Sequence, residues 1–464
     1  MKERNREELG KLRSIFQKYL MILLSIKFFV EFISAFFPLS EPHLWRQTDT
    51  MSVAMRYWLR WSTETNLHNA LLPAVLNSGD HYGINPMEFP VLNLMTAPFF
   101  YFGPLWGKIF AHLFLIFVLC GILYLNSKLW KKVTFFGVSA FEMCLLLPVF
   151  SFANPIAWHF MPDFMSLLLC LAGLGFVWNK NRILLPFLFV SLGLLMKPTS
   201  IIVFALIFCH HNLTQKIRNL IWFLPSLAVT VLYYTLGVSH VRKFQDIPDL
   251  FAVGLKPISQ NWHEFTSNLA SFLDVVQYHA FVPYLFYILV AYSFYLFYKE
   301  KKFPFLALWL ISFLQIFAII LIDGKHSVIH YYYFIGVAPT FCLIALGLWH
   351  KCTSRVFQFL FFALFLGRFI DLAHFELRSI KHASNNGSPI YECHQLIQKH
   401  PEFPWKQGLV FRSTAEDFPA LGLCFGERER SEVSKFGFMH TNKAVPENCH
   451  VVDKLKIVAL IQCK

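Results

Sequence analysis

Residues 109–125 read IFAHLFLIFVLCGILYL, with no formally charged side chain between Lys108 and Lys128. A run of that kind approaches the roughly 20 apolar residues that cross a hydrocarbon core. Phe164–Trp178, Leu220–Gly237 and Phe303–Ile322 repeat the pattern. Of the 464 residues, 56% are hydrophobic, 53 are Phe and only 15% are charged, against about 25% charged in soluble domains. An apolar excess gathered into runs excludes a single soluble domain, a disordered chain and a disulfide-dense secreted module. The expected fold is an all-α polytopic membrane protein with about 11–13 transmembrane helices.

Lys and Arg number 41 against 28 Asp and Glu, a net charge of +13. The positive residues recur in short turns between apolar runs: 127–132, 179–182, 216–218, 299–302 and 351–355. That is the pattern of cytoplasmic loops, so the basic balance implies a lipid bilayer as partner and no nucleic acid. The leader 1–15 is charged and precedes a first span over about 16–37, which reads as a retained anchor with a cytoplasmic N-terminus. The outward segments are then 39–88, 154–163, 197–200, 239–279, 323–330 and everything after about 373. Three regions follow: the leader, a transmembrane domain over 16–372 and an extracytoplasmic tail over 373–464. Residues 89–103, with Pro90 and Pro98, are short for a full span and read as a short tilted or re-entrant helix. The tail mixes short apolar runs with turn residues, as a small α/β cap or a merely ordered tail would. Cys120, Cys144, Cys170, Cys209, Cys342 and Cys352 read as buried bystanders. The other four lie in the tail, where disulfides are plausible outside the cytoplasm.

The first outward loop, 39–88, holds Glu41, His43, Arg46, Gln47, Asp49, Arg56, Arg60, Glu64, Asp80, His81 and Glu88. Thr48 suits the N-cap of a helix running to about Ser62. At 100° per residue Asp49, Arg56 and Arg60 share one face, with Met51, Ala54, Met55, Trp58 and Trp61 opposite. This predicts an amphipathic helix in the membrane interface, its polar face up. A solvated face is one reading; a site is the other. A carboxylate there can take the proton of a hydroxyl nucleophile, and arginines can grip a phosphate. An enzyme acting on a lipid phosphate needs both.

Ionisable groups at membrane level are functional candidates by default. Asp163, in His159-Phe-Met-Pro-Asp163, is one, and also suits a helix cap. Lys197 is a second, and also suits a snorkelling role. His330, Tyr331 and Tyr332 follow Asp323-Gly-Lys-His326, although Tyr331–Tyr333 equally fits an interfacial aromatic belt. Lys27 and Glu31 are spaced to pair within the first span. Glu142 has no obvious partner. No cysteine spacing suits zinc, and motifs of ATPases, zinc proteases and serine hydrolases are absent.

Trp45-Arg-Gln-Thr-Asp-Thr-Met-Ser-Val-Ala-Met-Arg56 resembles the first-loop signature of bacterial GT-C glycosyltransferases, the family of protein O-mannosyltransferases and lipid A aminoarabinose transferases. Glu88-Phe-Pro90, Met161-Pro-Asp163, Lys197-Pro-Thr199 and His330-Tyr-Tyr332 resemble its later blocks, in the same order, within about residues 16–350. The last block lacks the Asp of the family's His-Asp-Tyr-Tyr. The resemblance implies an inverting transferase of the inner membrane, taking a sugar from a polyprenyl-phosphate donor to an extracytoplasmic acceptor. By position Asp49 matches the catalytic acid and Glu88 the second acidic residue. Arg46, Arg56, Lys197, His330, Tyr331, Tyr332 and Asp163 would contact donor phosphate or substrate. No cofactor is required, although two nearby acids could hold a divalent metal. A transporter or flippase and a polyprenyl-pyrophosphate glycan polymerase or ligase are the rival readings.

Overall fold

The computed structural model describes residues 2–37, 39, 44–63, 89–135, 138–154, 156–179, 184–209, 213–237, 258–280, 285–300, 304–323, 330–352, 355–386 and 389–402, and in the tail 409–410, 436–441, 445, 449–455 and 458–463. Apolar runs fold as helices because in lipid each backbone N–H and C=O must be satisfied within its own segment. In order these are α1 (Lys2–Ser34), α2 (Leu44–Thr63), α3 (Val91–Thr96), α4 (Pro104–Leu129), α5 (Ala140–Leu146), α6 (Pro162–Trp178), α7 (Leu184–Met196) and α8 (Leu213–Leu232). They continue as α9 (Ile258–Ser267), α10 (Leu269–Ala280), α11 (Leu285–Glu300), α12 (Pro304–Asp323), α13 (Ala338–Lys351), α14 (Arg355–Asn386) and α15 (Pro389–Lys399). A two-residue hairpin, β1 (Thr134–Phe135) and β2 (Val138–Ser139), turns α4 into α5.

Among the described residues, three apolar segments are long enough to cross a bilayer outright, Pro104–Leu129, Tyr331–Lys351 and Val356–Lys381, beside a set of shorter apolar helices. The expected short segment after Pro90 is α3 followed by a 3-10 turn over Ala97–Phe102. Together they rise only about 21 Å, less than a hydrocarbon core of about 30 Å. Gly103, at φ 87°, then reverses the chain into α4. Helix α6 is buried from Pro162 to Val177 and α13 from Ala338 to Leu348, so these two form the inside of the bundle. Helix α14 presents Val356, Phe359, Leu360 and Ile370 outward, as a lipid-facing helix does.

Buried polar groups tie distant helices together. Lys27 meets Glu31 at 2.8 Å, as its spacing predicts, and also Glu376 of α14 at 2.7 Å. Lys108 donates to the Ala35 carbonyl at 2.7 Å and to that of Phe37, closing the end of α1. Glu142 does have partners: Gln17 Nε2 donates to it at 2.8 Å and His350 Nε2 lies 2.7 Å away. Both come from helices far away in the chain, so no local spacing could reveal them.

The α14 helix runs unbroken through residues 372–373. Beyond it, α15 packs on a four-stranded sheet of order β3-β4-β6-β5, made by Leu409–Val410, Phe436–His440, Cys449–Lys454 and Val458–Cys463. The β3–β4 pair is parallel and the others antiparallel. Cys393 and Cys449 are each disulfide-bonded. Cys120, Cys144, Cys170, Cys342 and Cys352 are not in disulfides, and four of them are buried.

Candidate active site

Helix α2 begins at Leu44, four residues before the expected cap. Thr48 therefore lies within the helix, past its first turn, and the Arg46 carbonyl accepts a hydrogen bond from Thr50 Oγ1 at 2.8 Å. On the polar face of α2 the solvated reading fails: Arg46, Ser52 and Arg56 are buried, Arg56 to 1% exposure, and so is Gln47. Met51, Ala54 and Met55 on the other side are buried as well. The physical reason is cover, because α2 packs against α3, its 3-10 extension and α4. Asn93 Nδ2 of α3 donates to the Thr50 carbonyl at 2.5 Å, binding the two helices. The backbone thus sets Arg46, Asp49 and Arg56 on one face of an enclosed helix. The Asp49 side chain and residue Glu88 lie outside the described residues, as does the Arg60 side chain.

The residue after Glu88 is fixed. Phe89 N–H donates to the Leu195 carbonyl at 3.0 Å, and its ring meets Tyr233 at 5.2 Å. Leu195 is in the last turn of α7, two residues before Lys197, so Phe89 is anchored near that lysine.

Lys197 links α7 to a 3-10 helix over Pro198–Cys209. It is 3% exposed and does not snorkel. Its Nζ lies 3.7 Å from Asp163 Oδ1. It also sits 4.4 Å from the ring centroid of Tyr333 and 5.3 Å from that of Tyr332. Asp163 is not the cap residue of α6; that position is held by Met161. The carboxylate instead lies in the first turn, where the helix dipole favours it, and serves the lysine. Ser166, one turn on, donates to the Gly193 carbonyl at 2.6 Å and meets Ser200 Oγ at 2.8 Å, clamping both sides of Lys197. Gly193 permits this approach, since a Cβ there would lie 2.6 Å from Cys170 Sγ.

Tyr331–Val337 is a 3-10 helix with His330 at its cap position. These tyrosines face inward and do not form a belt. Tyr331 stacks on His279 of α10, with centroids 3.7 Å apart. Tyr332 is buried, with Lys197, Arg46 and Asp163 in electrostatic reach of its phenol. His330 lies 5.3 Å from the Tyr332 ring. Arg46, Asp163, Lys197, His330, Tyr331 and Tyr332 are therefore gathered at one end of the bundle, from four separate stretches of chain. Two neighbours escaped the sequence reading as site residues. Tyr333 is one, although three-residue periodicity in a 3-10 helix puts it on the face of His330. His279 is the other, and nothing local marks it. Among the described residues no group of three or more His, Cys, Asp or Glu has the arrangement of a metal site.

Among solved structures the chain superposes on ArnT from Cupriavidus metallidurans in the apo state, with a TM-score of 0.55 and 10% identity over 96% of this chain and 98% of that one. The same protein bound to undecaprenyl phosphate matches over the same shares with a TM-score of 0.54 and 10% identity. At that identity the likeness is one of fold. No protein-family model matches the chain, and no curated protein does.

Proposed function

We propose that this protein is an inverting glycosyltransferase that moves a sugar from a polyprenyl-phosphate donor to an acceptor on the extracytoplasmic face. The observation that carries the reading is the buried Lys197, held by Asp163 beneath two tyrosine rings and sharing Tyr332 with Arg46, the arginine of the helix that bears Asp49. Cations enclosed at the end of an apolar bundle suit a phosphate whose lipid tail runs along the helices. The fold of a protein solved with undecaprenyl phosphate supports the same choice.

In this mechanism Asp49 removes the proton of an acceptor hydroxyl as its oxygen attacks the anomeric carbon. The bond from that carbon to the phosphate oxygen breaks on the opposite face, and the phosphate departs with the electron pair. Arg46, Arg56, Lys197 and His330 stabilise the charge that grows on it, a fixed electrostatic arrangement that needs no reorganisation. Glu88 orients Asp49 or holds the acceptor. With an already ionised acceptor phosphate, Asp49 orients the nucleophile without deprotonating it. The disulfide-bonded state of Cys393 and Cys449 supports an extracytoplasmic tail, and the positive turns support a cytoplasmic N-terminus in a bacterial inner membrane.

The test is a donor assay on purified protein with radiolabelled polyprenyl-monophosphate sugars, with and without cell-envelope acceptors. Asp49→Asn and Glu88→Gln should lower transfer by about 10²–10⁴-fold while the protein remains monodisperse. Near-normal turnover in Asp49→Asn would remove the assigned base. Turnover only with pyrophosphate-linked donors would favour the polymerase or ligase.

A further inference from the structure

Three-residue periodicity puts Tyr331 and Phe334 on one face of the 3-10 segment Tyr331–Val337, with Tyr332 and Tyr333 on the other two. Tyr332 and Tyr333 carry the rings that face Lys197, 5.3 Å and 4.4 Å from its Nζ. Tyr331 and Phe334 meet α10 instead. Phe334 packs edge-on against Phe272 at 5.8 Å, and Tyr331 lies flat on His279, with centroids 3.7 Å apart and planes 11° from parallel. Phe272 and His279 are seven residues apart and so share one face of α10. Val276 of that face is buried, while Leu269, Leu273 and Tyr278 on the others are exposed. One face of α10 thus lies along one face of the 3-10 segment and leaves the remaining faces to the lysine.

A seven-residue 3-10 helix supports itself weakly, because its hydrogen bonds are poorly aligned and runs beyond about 3–4 residues are uncommon. Its register over Lys197 therefore depends on contacts from outside. Phe334 has a second one, since Phe152 lies 5.4 Å away. Tyr331 is only half-buried and adjoins His330 and Tyr332, so the stack on His279 acts at the end nearest the site. The end of α10 is braced in turn. Arg368 of α14 lies over the Tyr278 ring at 4.1 Å and reaches the Tyr278 carbonyl at 3.4 Å, and it donates to Asp371 at 2.6 Å. A cation at that position also meets the negative end of the α10 dipole.

We propose that α10 is a splint for the candidate active site: His279 is a positioning residue that sets Tyr332 and Tyr333 over Lys197 by stacking on Tyr331, and Arg368 braces it. The splint stands by itself, while its effect on a lipid phosphate rests on the transferase reading. Hydrogen exchange of residues 331–337 in the full chain in detergent, read by mass spectrometry, tests the splint. Binding of undecaprenyl phosphate, read by tryptophan fluorescence, tests the effect. His279→Asn keeps a polar group and loses the ring; it should speed exchange across the segment and weaken binding, each by about 2–10-fold, the range that one ring stack gives. His279→Phe keeps a ring and loses both nitrogens, and should exchange and bind as wild type does. Arg368→Met should show the same two losses, and combining it with His279→Asn should add little to either. Wild-type exchange in His279→Asn overturns the proposal. So does a His279→Phe as impaired as His279→Asn, which would mean that the imidazole acts through its nitrogens. If His279→Asn does not fold, exchange in Arg368→Met decides in its place. Faster exchange with unchanged binding refutes the positioning role and leaves the transferase reading standing. If wild type does not bind undecaprenyl phosphate, that reading falls and exchange alone decides the splint.

Discussion

Removing one member of the Asp163–Lys197 pair should cost more than removing both. The two charges are buried and 3.7 Å apart, a separation at which attraction is about 4 kcal/mol at an effective dielectric of about 20. The Tyr333 and Tyr332 faces add about 0.5–2 kcal/mol to the lysine's hold. Asp163→Asn leaves a buried ammonium without its counter-charge, which costs about 3–5 kcal/mol. Lys197→Met strands the carboxylate at similar cost. The double variant removes both charges, keeps the side-chain volumes and should recover most of the loss, so the coupling energy should exceed the loss of either single variant, about 3–5 kcal/mol. Titration with a denaturing detergent, followed by tryptophan fluorescence, measures all three. Turnover separates the two roles of the pair, because the double variant should regain stability yet lack the ammonium proposed to hold phosphate, and so should stay inactive. Single-variant losses that add to within about 0.5 kcal/mol would refute the pairing. A double variant with normal turnover would refute the role given to Lys197.

Lys27→Met leaves Glu31 and Glu376 facing each other without their cation and should destabilise by about 3–5 kcal/mol; the same titration reads it, and adding Glu31→Gln and Glu376→Gln should restore most of the loss. Gly193→Ala places a Cβ 2.6 Å from Cys170 Sγ and 2.9 Å from the Ser166 carbonyl, an overpacking of about 1–3 kcal/mol, and should lower turnover too because Lys197 N–H donates to the Gly193 carbonyl. In the tail, hydrogen bonding to Asp453 first, and then to Glu402, raises the His400 pKa above its ordinary 6.5. That stabilisation is complete below pH 6.5 and disappears as pH rises through the raised value, so hydrogen exchange in residues 436–463 should speed up on the alkaline side, and His400→Gln should flatten the profile. Asp453, pulled down to about 2 by Lys399 first and then His400, contributes stability above about pH 3.8 that is lost as pH falls through about 2. Chelation with EDTA should leave sugar transfer unchanged, since cationic side chains carry the phosphate's charge; loss restored by Mg²⁺ or Mn²⁺ would put a metal between Asp49 and Glu88.

What could be read from the sequence was whatever is local. Apolar runs announce helices at their own period, and the motif from Trp45 to Arg56 marked the helix that carries the candidate base. Asp163 and Lys197 were each legible as costly charges, but their pairing was not, because it depends on how closely α6 and α7 approach. Glu142 shows the same limit: Gln17 is 125 residues away and His350 is 208. The amphipathic pattern of α2 was legible, but not the cover over its polar face, since that depends on how α3 and α4 pack against it. Thr48 is a good cap type, yet the helix gained another turn upstream, where Leu44 and Trp45 extend it.

The Lys27–Glu31–Glu376 cluster also bears on how the chain is made. The first span carries Lys27 and Glu31 into the bilayer early in synthesis, where they neutralise each other. Glu376 lies 349 residues beyond Lys27 and emerges only when nearly all the other helices have been made. Its arrival joins α14 to α1, so this contact forms only after the helices between them have been made. A nascent chain stalled before that point would hold a different charge balance from the finished protein, a distinction that membrane proteases could use to tell the two apart.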